Sequence, residues 1–159
     1  MNSNDVFLKM IFDRWNTSIK NCDNLLNTLT DEQLQKEIAS GKNRGVYLLG
    51  HLIAVHDDML VLLDMGEKLY PEWRSTFLES TDKTVAEIPS IKELRAGWSA
   101  QCEVLKQKFE RLQPGEWLEK HTAVSDEDFI KEPHRNKLNI ILTRTTHLQY
   151  HMGQLVLLK

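Results

Sequence analysis

Two histidines lie four residues apart near the end of the sequence, at His147 and His151. On a helix, side chains at this spacing stack on one face, and both imidazoles can reach the same ion. The helical phase places them on an apolar stripe with Ile140, Leu155 and Leu158, the kind of face that packs into a core. Imidazoles buried there need partners, so we predict that the pair binds a divalent metal ion.

A metal held by two imidazoles needs a third ligand from another helix. The apolar segment 45–65 offers two candidates, His51 and His56. On a helical wheel His56 falls near the middle of the apolar arc and His51 at its edge. The phase favours His56, whereas a catalytic site, which keeps an open coordination position in contact with water, favours His51. The spacing alone leaves both candidates open.

The elements that would position these residues are helical. Four long segments have the periodicity of amphipathic helices, and Gly, Pro and alternating apolar runs are too few to build a sheet. We therefore predict an all-α fold, a four-helix bundle. The predicted long helices are 5–26, 45–65, 91–112 and 136–159, and a short helix is predicted to begin at Thr30 or Asp31.

The faces of these helices and the segments between them are also predicted. Ser90 and Glu93 have the spacing of a capping box at the start of the third long helix. The connections 67–89 and 113–135 are much longer than the turns between antiparallel neighbours, so at least one is expected to be a crossover. The apolar face of the first helix is predicted to consist of Phe7, Ile11, Trp15, Ile19, Cys22 and Leu26. The solvent-facing side of the second is predicted to carry Asp57, Asp58 and Asp64.

Composition limits the classes of function. The chain has 159 residues, of which 41% are apolar, enough for one domain over residues 1–159. Its net charge of −3 predicts no binding to nucleic acid or to an anionic membrane surface. We find no leader-like start and no run that approaches a bilayer span, and therefore expect a cytoplasmic protein. Cys22 and Cys102 are expected to be buried, reduced thiols.

Two motifs resemble those of a known family. Residues 48–52 read Leu-Leu-Gly-His-Leu, and residues 147–155 read His-Leu-Gln-Tyr-His-Met-Gly-Gln-Leu. They are similar to the helix-2 histidine motif and the His-x3-His pair of the DinB-like, or YfiT-like, metal-binding four-helix bundles. The resemblance implies that His51, His147 and His151 bind one divalent ion, zinc or nickel, with waters completing the shell. It also implies an up-down-down-up bundle with the crossover between helices 2 and 3, and a homodimer.

Other residues near these motifs are candidates for supporting roles. Arg144 is predicted to anchor an anionic substrate group, or else to pair with a carboxylate such as Glu103. Trp117 is a candidate for lining a substrate pocket, and Gln154, one turn after His151, for orienting that ligand. The glycines of the two motifs, Gly50 and Gly153, are expected to mark places where helices approach closely.

Two functions follow as hypotheses. Relatives of this fold include thiol-cofactor-dependent transferases and isomerases. The resemblance therefore suggests a metal-dependent enzyme that activates a low-molecular-weight thiol, or water, for transfer or isomerisation on a small electrophile. The alternative is a non-catalytic metal-binding or stress-related ligand-binding bundle. The sequence does not specify the substrate.

Overall fold

Helices make up the ordered elements of this protein. The structure is a computed structural model that describes residues 3–159. Residues 1 and 2 of the predicted domain lie outside this range. Within it there are helices and no β-strands, which confirms the predicted all-α fold. The elements are α1 (Ser3–Thr28), α2 (Asp31–Leu34), α3 (Gly45–Leu62), α4 (Trp73–Phe77), α5 (Ile91–Phe109), α6 (Asp126–Lys131) and α7 (Lys137–Leu155), with 3-10 turns at Glu116–Leu118 and Val156–Leu158.

The helix starts follow local capping rules. Ser90 accepts a hydrogen bond from the Glu93 backbone and the Glu93 side chain reaches back to Ser90, the predicted capping box. Thr30 and Gln33 form a second capping box before α2. Asn136 caps α7 by accepting from the Asn139 backbone. The residue at which α7 begins is therefore fixed by its own first turn.

The directions of the long helices follow from two core clusters at opposite ends of the bundle. One contains side chains from the end of α1, the starts of α3 and α5, and the end of α7, such as Leu26, Leu48, Leu94 and Leu155. The other contains the start of α1, the ends of α3 and α5, and the start of α7. Helices α3 and α5 therefore run in the same direction, opposite to α1 and α7. The segment 63–90, which carries α4, crosses from one end to the other.

Helix α3 is the central helix. By length and composition it could span a membrane, contrary to the expectation that no segment would, but 78% of its residues are buried inside the bundle. Such burial is typical of the core helix of a soluble protein. The neighbours that cover it are α4, α5 and α7.

Three expectations about helix faces and ends are wrong. Phe7 is 61% exposed, because its neighbour Leu8 is the side chain that faces the core in this part of α1. Asp57 is buried rather than solvent-facing, because its carboxylate accepts the backbone N–H groups of Leu69 and Tyr70, both at 2.8 Å. Helix α3 ends at Leu62, and Asp64 then takes a positive φ of 58° as the chain turns.

Candidate metal centre

Three histidines converge where α3 faces α7. His51 lies in α3, and His147 and His151 lie one turn apart in α7. The Nε2 atom of His147 lies 3.1 Å from Nε2 of His51 and 3.0 Å from Nε2 of His151. One ring nitrogen from each of the three residues lies within 4.8 Å of the others. The structure therefore brings together the three histidines that the sequence motifs singled out.

Fixed acceptors orient two of these rings. The Nδ1–H of His51 donates to the backbone carbonyl oxygen of Phe77 at 2.9 Å, since a carbonyl can only accept. The Nδ1–H of His151 donates to Oε1 of Gln154 at 2.7 Å, the role predicted for Gln154. In neutral imidazoles, a proton on Nδ1 leaves a lone pair on Nε2. Both rings therefore present Nε2 lone pairs to the centre of the cluster.

This arrangement fits a divalent cation. The His147 ring can place at most one N–H at its Nε2, and that proton can serve only one of the two facing lone pairs. A metal ion accepts all three. Tetrahedral ligands at about 2.0–2.1 Å from a metal lie about 3.3 Å from one another, close to the observed separations of 3.0 and 3.1 Å. The three imidazoles could hold one ion through their Nε2 atoms.

The environment of the two α7 rings favours their neutral form. Burial, reinforced by the neighbouring imidazoles and by Arg144, lowers the pKa of His147 to about 4. Burial also lowers the pKa of His151, against a smaller opposite effect of the bond to Gln154. Metal binding requires neutral imidazole, so these ligands do not need to lose a proton at neutral pH.

The other helix-3 candidate, His56, is not part of the cluster. Its side chain is fully buried between the rings of Trp15 and Trp98, with centroid distances of 5.1 and 5.3 Å. Neither ring nitrogen has a hydrogen-bond partner within residues 3–159. Burial lowers its pKa to about 3, so the ring is neutral. The geometry therefore places His51 in the cluster, and not His56, which helical phase alone favoured.

The two motif glycines differ. A Cβ on Gly50 would lie 2.3 Å from the ring of Phe77, so this glycine lets α4 pack directly against α3. That close approach brings the Phe77 carbonyl to His51. Around Gly153 a Cβ would meet nothing within 4 Å. The expected close approach at Gly153 is therefore wrong, because that side of α7 faces solvent.

The two predicted substrate residues also differ. Arg144 is half-buried near the cluster, and its charge acts on His147. It forms no ion pair with Glu103, whose carboxylate instead accepts from Gln107 at 2.8 Å. Trp117 is only 3% exposed and packs against Phe12 and Phe109 in the core cluster at the other end of the bundle. The structure therefore places Trp117 in the core and not beside the histidines.

Sequence reasoning missed three groups around the centre. The Phe77 carbonyl is one, because a backbone acceptor 26 residues from His51 leaves no pattern in the sequence. Tyr47, one turn before His51, donates to the Ser80 carbonyl at 2.6 Å and so holds the segment after α4. Tyr150 is 64% exposed, and its ring packs edge-to-face with the His151 ring at a centroid distance of 5.1 Å. The sequence does contain a signal for both tyrosines. Tyr47 lies four residues, or one helical turn, before His51, and Tyr150 is adjacent to His151.

Together, the fold and this site define a helical bundle with a candidate three-histidine metal centre. The family model described as DinB superfamily matches residues 14–155, which is most of the chain. The protein belongs to the DinB superfamily. A search of curated proteins found no match.

Proposed function

We propose that the protein is a divalent-metal-dependent enzyme that activates a low-molecular-weight thiol, or water, for attack on a small electrophile. The observation that carries this proposal is the convergence of three Nε2 atoms, two of them oriented by fixed acceptors. Zinc or nickel is the proposed ion, since imidazole suits both.

The donor set favours an open site over a structural one. Structural zinc is usually closed by four protein ligands, whereas catalytic zinc keeps a position for water or substrate. Within residues 3–159, the group that could hold an ion consists of three imidazoles, with no carboxylate or thiolate. His51 and His147 are partly exposed, so a small molecule can reach the centre from solvent.

The chain's own groups limit the chemistry. A divalent ion held by three neutral ligands supplies a Lewis acid that lowers the pKa of a water or thiol beside it. Burial raises the pKa of Cys22 to about 12 and also raises the pKa of Cys102, so neither is a ready thiolate. The attacking thiol would therefore come from outside the chain, and the three neutral histidines would hold the ion without cancelling its charge.

Metal analysis tests the site. We expect about one ion per chain in the wild type and none in the double variant His147→Ala/His151→Ala. His134→Ala is the matched control, because His134 is exposed and lies outside the cluster. Unchanged metal content in the double variant would refute the site.

A second measurement tests catalysis. Cobalt- or nickel-loaded protein should change its absorption spectrum when a thiol is added, and should turn over electrophiles only in the presence of that thiol. A protein that binds metal but shows neither behaviour, with several thiols and with water tried as the nucleophile, would be the non-catalytic binding bundle.

We also propose that the protein is a homodimer, as the family resemblance implies. The apolar surface of α3 is covered within the chain, and does not require a partner. Large apolar side chains are instead exposed on the outer face of α7 and the turn after it, at Leu142, Tyr150 and Leu157. Light scattering over a range of concentrations tests this, and a monomer mass throughout would contradict it.

A further inference from the structure

One of the three clustered imidazoles lacks a partner on its outer nitrogen. Nδ1 of His51 has the Phe77 carbonyl and Nδ1 of His151 has Gln154. Nδ1 of His147 is buried and has no hydrogen-bond partner within residues 3–159. Metal-binding histidines almost always donate this N–H to a carboxylate, a carbonyl or water. The chain therefore completes this outer contact for two ligands and leaves it open for the third.

A second unpaired donor lies beside the first. Nε of Arg144 is also buried without a hydrogen-bond partner in the described part of the chain. Arg144 precedes His147 by three residues and therefore lies on the same face of α7. Burial lowers its pKa from the usual value, a sign that its charge lacks full compensation where it lies. Two buried and unpaired N–H donors, one of them on a cation, thus lie on the same face of α7 next to the centre, on side chains that are themselves partly exposed.

Nearby carboxylates are already engaged. Asp58 acts electrostatically on Arg144, but its two oxygens pair with Lys68 and, at 2.9 Å, with Nη1 of Arg74. Arg74 also pairs with Glu79 at 2.9 Å. Around this single carboxylate lie three cations, and Arg144 is the one that forms no ion pair in residues 3–159. The local charge therefore favours an added anion.

We propose that a carboxylate binds between Arg144 and His147, accepting hydrogen bonds from Nε–H of the arginine and Nδ1–H of the histidine. The inference rests on the proposed metal site, because Nδ1 of His147 carries the proton when Nε2 is the ligand atom. A carboxylate matches two donors with two oxygens and one cation with one negative charge. The proposed reaction would then use a carboxylate-bearing thiol or electrophile.

The proposal makes metal and carboxylate binding interdependent. An acceptor on Nδ1 makes the opposite nitrogen a better ligand. By linkage, a carboxylate that tightens metal binding is itself bound more tightly when the metal is present. This coupling can be measured without any knowledge of the substrate and without an activity assay.

Acetate is the probe. Zinc affinity is measured by chelator competition in sodium acetate and in sodium chloride of equal ionic strength, at neutral pH. We expect acetate to tighten zinc binding of the wild type about 10-fold, and to have no such effect on Arg144→Gln. Arg14→Gln is the control for loss of a positive charge, because Arg14 is exposed on α1; it should behave as the wild type.

The outcomes separate the two proposals. Normal zinc binding in chloride with no effect of acetate, or an equal effect in Arg144→Gln, would overturn the carboxylate site and leave the metal site standing. The equal effect would mean that acetate binds the ion directly. Failure of the wild type to bind zinc in either salt would overturn both.

Two small thiols identify the carrier of the carboxylate. If the thiol carries it, cobalt-loaded protein should bind 3-mercaptopropionate more tightly than 2-mercaptoethanol, and this preference should disappear in Arg144→Gln. Equal affinity for both thiols, together with the acetate effect, would assign the carboxylate to the electrophile.

Discussion

The two sides of the bundle differ in what they offer a ligand. Between α1 and α5 runs a groove of about 820 Å³ with an aromatic lining that includes Trp15, Trp98 and Phe109. Between α3 and α7, three imidazoles converge. Yet none of the described side chains that line the groove has a buried nitrogen or oxygen without a partner.

Converging donors, and not an open groove, therefore mark the candidate site here. His56 lies directly behind the groove, in contact with Trp15 and Trp98, and is completely enclosed. Its two ring nitrogens are buried and have no hydrogen-bond partner among the described residues. His51, five residues earlier on the same helix, has an acceptor on one nitrogen and two imidazoles facing the other. These neighbouring groups, and not its position on the helix alone, make His51 the candidate ligand.

The largest expected effect separates these two histidines. His51→Ala should weaken metal binding by at least about 100-fold, since it removes one of three ligands. His56→Phe keeps a ring between the tryptophans and removes two unpaired nitrogens. It should bind metal as the wild type does and unfold with an equal or higher free energy. Chelator competition and urea unfolding measure both, and a greater loss of metal affinity in the His56 variant would contradict the assignment.

The next effect concerns pH, and both regions contribute to it. In the folded protein without metal, the pKa values of His56 and His147 are about 3 and about 4, against about 6.5 in the unfolded chain. The unfolded state therefore binds more protons once the pH falls below 6.5. The stability from these groups is present above that pH and is lost progressively towards pH 4 and below.

Urea unfolding of the metal-free protein checks this prediction. Between pH 6.5 and 5, before most carboxylates are protonated, the free energy of unfolding should fall as the pH falls. His56→Phe should show a shallower decline, because one of the contributing groups is gone. A free energy that stays constant across this window in the wild type would contradict the inferred neutral, buried histidines.

A smaller effect comes from the acceptor on His151. Gln154→Leu removes the group that holds the ring with its Nε2 lone pair towards the centre. Loss of such an outer contact typically costs about 10–100-fold in metal affinity, so the variant should fall between the wild type and His51→Ala. Gln149→Leu is the control on the same helix, because that amide bonds Ser18 of α1 instead. If Gln154→Leu kept full zinc affinity, the role of this bond in orienting the ligand would be refuted.

The sequence was most informative where contacts are local. Periodicity and caps predicted the four long helices, and the spacing of His147 and His151 predicted their common face. What it could not show depends on chain segments that meet only in the fold. The burial of Asp57 depends on a loop that folds back to it, and the orientation of His51 on the Phe77 carbonyl. The prediction that Trp117 lines a pocket was wrong, because the connection 113–135 has the composition of a polar loop, yet Trp117 packs against Phe12 of α1.

The smallest effect is expected from substitutions of the two motif glycines, Gly50 and Gly153. Gly50→Ala places a Cβ 2.3 Å from the Phe77 ring, so α4 must move and take the acceptor of His51 with it. We expect a loss of about 1–3 kcal/mol in the free energy of unfolding and weaker metal binding. Gly153→Ala meets nothing within 4 Å and should gain up to about 1 kcal/mol through helix propensity. Urea unfolding of both variants measures the contrast. If Gly50→Ala were as stable as Gly153→Ala and bound zinc equally well, the Phe77 carbonyl would not be what fixes His51.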